Sequence, residues 1–268
     1  MLRKGDLTQG GITGTLLHFT LPMMVGSFLQ QCYNIADTLI VGQCIGAGAL
    51  AAVGSAYTLM VFLISVLLGL AMGSGTVFSL YYGAGNHVAL RRSIFSSFVL
   101  IGIVTLILNV AVFIWLDPIL RLLQVPQDIY GMMRSYLWII FCGIVFTFIY
   151  NFYASLLRAV GDSVTPLWFL AVSVVLNIAL DLFFILQLDW GIQGAAAATV
   201  LAQGVAALGI IIYTYRRRPE LRWHHEDMCF DRTCLKEIAS FSTLTCIQQS
   251  VMNLGILMIQ GLVNSFGT

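Results

Sequence analysis

The sequence predicts an all-α, polytopic membrane helix bundle of about seven spanning helices with a cytoplasmic N-terminus. Three observations predict it. Of the 268 residues, 59% are hydrophobic and 9% charged, whereas a soluble domain is nearer a quarter charged. The apolar residues gather in seven runs, each close to or beyond the ~20 residues that cross a hydrocarbon core; a spanning β-barrel would instead need alternating segments of about ten. The basic residues are segregated: with the N-terminus inside, eleven of the thirteen Lys and Arg fall on inner segments and only Arg121 and Arg134 on outer ones, and the basic side faces the cytoplasm.

The runs are 15–43, 52–80, 93–116, 131–156, 165–187, 191–215 and 237–262. The first sixteen residues mix glycines with polar groups and lead into a run too long for the apolar core of a signal peptide, so they read as a short tail and not as a cleavable leader. The loop GQCIGAGALAAVG after the first run is uncharged and glycine-rich, which fits a tight outer turn. The second run closes on GSGTVFSLYYGAGN. Its small residues allow close helix packing, and Gly83 to Asn86 offer a helix end.

The third run has no ionisable group and reads as lipid-facing support. The fourth carries Arg134 and Tyr136 toward its outer end. Leu156 to Trp168, LLRAVGDSVTPLW, fits a short inner turn in which Asp162 caps the next helix or pairs with Arg158. The sixth run opens with GIQGAAAATVLAQ, small enough for close packing, and ends on Arg216, Arg217 and Arg218. From there to Lys236 runs the longest polar segment, read as an inter-lobe loop. His224, His225, Cys229 and Cys234 in it are metal-ligand types, but their spacing matches no strong zinc pattern, and a mobile polar loop is the expectation.

Gln249, Asn253 and Gly261 repeat Gln30, Asn34 and Gly42 at a constant offset, as an internal repeat would. The expected organisation is a six-helix lobe over 1–215, a cytoplasmic loop over 216–236, and over 237–268 the first helix of a second, truncated lobe.

Two carboxylates stand out. Asp37 is the only Asp, Glu, Lys or Arg between Asp6 and Arg91, and Asp181 is the other acidic residue deep in an apolar run. A carboxylate in a spanning helix costs roughly 2.5–3.5 kcal/mol on insertion scales, which makes it a functional candidate facing a cavity or partner. Each has an asparagine about one turn earlier: Asn34 before Asp37, and Asn177 before Asp181. With the N-terminus inside, both carboxylates lie roughly 10–12 Å below the outer surface. Tyr136 on the fourth run and Thr199 on the sixth, both descending, fall in a similar layer. These residues, with Gln30 as a further lining group, make a candidate polar chamber for a proton or a small cation such as sodium. No cofactor, metal centre or nucleic-acid contact is expected.

The chain resembles the multidrug and toxic compound extrusion (MATE) transporters, particularly their DinF-like branch. The resemblance is carried by PMMVGSFLQQCYNIADTLIVGQCIG at 22–46, GSGTVFSLYYGAGN at 73–86, LLRAVGDSVTP at 156–166, LNIALDLFFI at 176–185 and GIQGAAAATVLAQ at 191–203. It implies a family fold of twelve helices in two lobes, in a prokaryotic plasma membrane. It implies export of cationic or amphipathic organic compounds, coupled to H+ or Na+. It also implies a cation site at Asp37, Asn177, Asp181 and Thr199, with Tyr136 beside the chamber.

Against the antiporter stand a lipid-linked saccharide flippase of the same superfamily and a non-transporting fragment that associates with a partner lobe. Flippases tend to line their cavity with Lys or Arg, and no run here carries one deep within it. An enzyme is not expected, because no nucleophile–base pair lies inside the membrane. With most of a second lobe absent, transport is expected to need that lobe or a second chain.

Overall fold

A computed structural model of the chain describes residues 12–122, 125–223, 227 and 232–265. The described residues form helices and turns, with no strand among them. In chain order the helices are α1 (Ile12–Cys44), α2 (Ala47–Gly83), α3 (His87–Leu122), α4 (Gln127–Cys142), α5 (Ile144–Ala159), α6 (Val164–Leu182), α7 (Gly191–Arg217) and α8 (Arg232–Ser265). A π-helical turn, Phe183–Gln187, prolongs α6, and a 3-10 turn, Pro219–Leu221, follows α7.

Each of the seven apolar runs lies within a helix or a bent helix pair, which extends it by a few residues. Among the described residues, α2, α3, α6 with its π turn, and α7 are long and apolar enough to span, and α4 with α5 forms a fifth, bent span. α1 and α8 are of similar length, 33 and 34 residues.

The fourth span is where the expectation of one continuous helix over 131–156 gives way. It breaks at Gly143 and bends by 47°. The break packs closely on α7: a Cβ at Gly143 would drive into the Val200 side chain. The Phe141 carbonyl at the break is satisfied from across the bundle by Asn109 Nδ2 of α3, at 2.8 Å. A backbone group freed inside a membrane needs such a partner.

α2 runs through the centre, packed against α3, α4, α5 and α8, while α7 lies against α4, α5 and α6, and α1 against α6. Leu67, Phe78, Leu90, Ile94 and Phe152 are fully buried between these helices. An aromatic layer at the inner end joins Phe98, Phe148 and Phe152 to Trp223, which follows α7.

The inner turns are built as their sequences suggest. Asn86 Oδ1 accepts from Ala89 N at 3.1 Å and caps α3. Asp162 caps α6 through Thr165 N at 3.1 Å; its ionic partner is Arg218, at 3.5 Å, in place of Arg158. Gly161 takes φ 85°, a left-handed conformation that glycine adopts without strain.

The described parts of the linker are held against the bundle. α7 reaches Arg217, Leu221 is buried, and Arg222 binds the Tyr215 carbonyl. Asp227 pairs with Arg91 at 2.7 Å. Cys234 is buried with Val77 and Ile238, while His224, His225 and Cys229 lie outside the described residues.

The broadest helix contact is α2 on α8. Gly69 and Gly73 of α2 face Cys246 and Ser242 of α8, and a Cβ at Gly69 would lie 2.7 Å from Cys246 Cα. Small residues at this spacing let two backbones meet. Tyr81 fastens the inner end by donating to Glu237 Oε2 at 2.6 Å.

Candidate functional site

Val174, Asn177 and Asp181 form the buried stripe of α6, at the 3-then-4 spacing that keeps one helical face. That stripe meets α1 and α7. α7 approaches closely because Ala195, Ala196, Ala198 and Ala202 are buried around Thr199. Tyr136 belongs to the buried face of α4 with Met133 and Leu137. Asp181 is fully buried and Asp37 is 8% exposed. The π turn begins two residues after Asp181, and such bulges are frequent at functional positions.

The residues read from sequence as the cation site come together. The Asp37 and Asp181 side chains lie next to each other and interact. With its nitrogen turned toward α6, Asn177 donates to Asp181 Oδ2 at 2.9 Å, and its carbonyl accepts from Thr199 Oγ1 at 3.3 Å and Thr199 N at 3.2 Å. The opposite orientation gives only an Nδ2 contact to Thr199 Oγ1 at 3.3 Å and sets the amide oxygen against acceptors, so the first orientation is adopted. Tyr136 lies near Asp37 and Asp181.

One oxygen on each carboxylate, Oδ1 of Asp37 and Oδ1 of Asp181, is buried without a hydrogen-bond partner. Buried unpaired acceptors are costly, and a proton or a cation shared between the two would relieve both. The groups around that point offer oxygen: four carboxylate oxygens, an amide carbonyl, an aliphatic hydroxyl and phenols. Oxygen donors suit a proton or a hard cation and give no thiolate or imidazole for a softer metal.

Two of the sequence-selected lining residues stand apart. Asn34 gives its amide to Gln31 Oε1 at 3.1 Å, and Gln30 is exposed; neither hydrogen-bonds to the carboxylates. The residue that α1 does contribute is Tyr33, whose hydroxyl lies 3.2 Å from Thr199 Oγ1 and near both carboxylates. Its signal was its position four residues before Asp37, on the same helical face.

The MatE family model matches residues 22–183. The probable multidrug resistance protein YpnP of Bacillus subtilis is 33% identical over 99% of this chain and 59% of its own length. The multidrug export protein MepA of Staphylococcus saprophyticus is 31% identical over 75% of this chain and 45% of its own. A solved outward-facing multidrug resistance MATE family transporter of the MOP superfamily has the same fold, with a TM-score of 0.89 at 24% identity; the match covers 96% of this chain and 57% of that one. The chain thus spans about half the length of the relatives it matches. With the family model matched over more than half of its length, the chain belongs to the MATE family of multi-pass transporters of the prokaryotic cell membrane.

Proposed function

We propose that the chain supplies the coupling-ion site of a multidrug antiporter: Asp37, Asn177, Asp181 and Thr199 bind the ion, and its release and capture are exchanged against an organic cation. The observation that carries the reading is the buried Asp37–Asp181 pair with an unpartnered oxygen on each side. Tyr33 and Tyr136 complete the wall of the chamber. The substrate class, cationic or amphipathic organic compounds, is supported by the multidrug names of the relatives and by an anionic chamber.

A proton is the proposed coupling ion. Two carboxyl groups that lie next to each other in a low-dielectric site are suited to sharing one. Transport itself is assigned to this bundle together with a second one, because alternating access in repeat transporters comes from one bundle rocking against another. A saccharide flippase fits less well, since the chamber side chains include no Lys or Arg to meet a pyrophosphate.

The test is to titrate the purified chain in nanodiscs with tetraphenylphosphonium in weak buffer. The wild type releases protons on binding, and Asp37→Asn and Asp181→Asn do not. Sodium uptake with no proton release would reassign the ion, and normal proton release by both variants would remove the carboxylates from the site. Expressed in an efflux-deficient host, residues 1–268 leave retention of a fluorescent organic cation unchanged. Resistance conferred by a monomer would remove the need for a second bundle.

A further inference from the structure

The break at Gly143 leaves a second feature beside the carboxylate chamber. A small cavity, with about 20 Å³ of room for a water-sized sphere, lies where α2, α4, α5 and α7 meet. Ile140, Phe141 and Ile144 from the two sides of the bend form its apolar wall, and its polar lining is Thr147, Thr199 and Gln203. Thr199 therefore belongs both to this cavity and to the carboxylate site. Thr147 Oγ1 donates to the Gln203 amide oxygen.

We propose that this cavity is an ordered-water site, in which one water bridges Thr199 to Gln203 and Thr147 and extends the carboxylate site one turn toward the inner half of the bundle. The volume is that of one water, and a buried water needs two to four polar partners. The hydrogen-bond inventory supplies three. The Gln203 amide nitrogen keeps its donors, because Thr147 engages the oxygen. Thr147 Oγ1 keeps an acceptor pair, since it donates its proton to Gln203. Thr199 Oγ1 donates to Asn177 and lies against the Tyr33 hydroxyl, and a hydroxyl that donates once and accepts once has one acceptor pair left. A water that accepts from Gln203 and donates to Thr199 and Thr147 satisfies all three. An apolar pocket of this size would stay dry.

The water would act as a stepping place. Gln203 lies four residues, about 6 Å, inward of Thr199 along α7. The bridge carries polar contact from the chamber toward Asn151, which donates to the Thr147 carbonyl at 2.8 Å. An ion or proton leaving the carboxylates toward the inner side then meets a hydrated group in place of packed alkyl chains. That role rests on the coupling-ion reading above; the water itself does not.

Pulsed hydroxyl-radical footprinting of the chain in nanodiscs separates the two, because radicals formed from a bound water modify the side chains beside it. Phe141 and Phe78 are equally buried, and only Phe141 lines the cavity. The expected result is several-fold more modification at Phe141 than at Phe78 in the wild type. That excess should be lost in Gln203→Leu and reduced in Thr147→Val, a smaller change that spares the fold. It should persist in Asp37→Asn, which lies outside the cavity. Equal modification at Phe141 and Phe78 in the wild type, or a Phe141 signal untouched by both cavity variants, overturns the assignment. Loss of the signal in Asp37→Asn overturns the independence of the water from the ion. Failure of the proton-release titration with an intact Phe141 signal would strike the coupling reading alone.

Discussion

The Tyr33 hydroxyl lies 3.2 Å from Thr199 Oγ1 and joins α1 to α7 beside the two carboxylates. Because Thr199 also binds Asn177, which in turn binds Asp181, this contact closes a chain of bonds from α1 through α7 to α6. Tyr33→Phe removes one hydrogen bond and keeps the ring. Interhelical hydrogen bonds inside membranes are worth about 0.6 kcal/mol on average and ~1.7 at most, so coupling-ion affinity should fall a few-fold while the melting temperature barely moves. Calorimetric titration of ion binding checks this; unchanged affinity would mean that Tyr33 is only a wall.

Asp37 and Asp181 should behave as one unit. Asp37→Asn and Asp181→Asn each remove ion binding, and the double variant loses no more than either alone, because groups that share a ligand are strongly non-additive. Insertion into the membrane should be intact in all three, since an amide is less costly to bury than a charge. A double-mutant cycle on affinity measures the coupling. Independent, additive losses would mean two separate sites.

Much of this arrangement could be read from residue types alone, and the exceptions share a cause. The apolar runs located every long helix because a membrane demands uninterrupted apolar length. Asp37 and Asp181 were legible because charge is so rare in those runs. The break at Gly143 was not, because the run through it is apolar, contains no proline and holds only one small residue that matters. What accompanies the break lies on other helices: Val200 of α7 packs against Gly143, and Asn109 of α3 takes the Phe141 carbonyl. Tyr33 and Asn34 both lie about one turn before Asp37, and only the rotation of α1 against α6 and α7 decides which one enters. Asp162 pairing with Arg218 in place of Arg158 is likewise a matter of how α7 ends over the α5–α6 turn.

The orientation can be tested at the two first turns. In a background with the native cysteines replaced, Gln43→Cys near the outer end of α1 should react with a membrane-impermeant thiol reagent in intact cells. Asn86→Cys, in the α2–α3 turn, should react only after permeabilisation. The reverse pattern would invert the bundle and place the carboxylates near the inner surface.

The contact of α2 with α8 should depend on Gly73 more than on any apolar residue nearby. A Cβ there meets the backbone of Phe241 and Ser242, and backbone has no rotamer by which to retreat. Ser242 Oγ donates to the Leu70 carbonyl at 3.3 Å, and Cys246 Sγ reaches the Val66 carbonyl at 3.4 Å; both contacts require the same closeness. Gly73→Leu should therefore push α8 away and cost about 1–3 kcal/mol, the usual range for overpacking. Gly83→Leu at the end of the same helix meets nothing within 4 Å and should be tolerated. Spin labels at Asn86 and Lys236, both exposed, report the result as a distance distribution. It should broaden and lengthen in Gly73→Leu and keep the wild-type form in Gly83→Leu. A narrow, unshifted distribution in Gly73→Leu would mean that α8 is held by Tyr81 and Glu237 at its inner end and not by the glycine face. In that case Tyr81→Phe, which removes the 2.6 Å bond to Glu237, should be the variant that frees it.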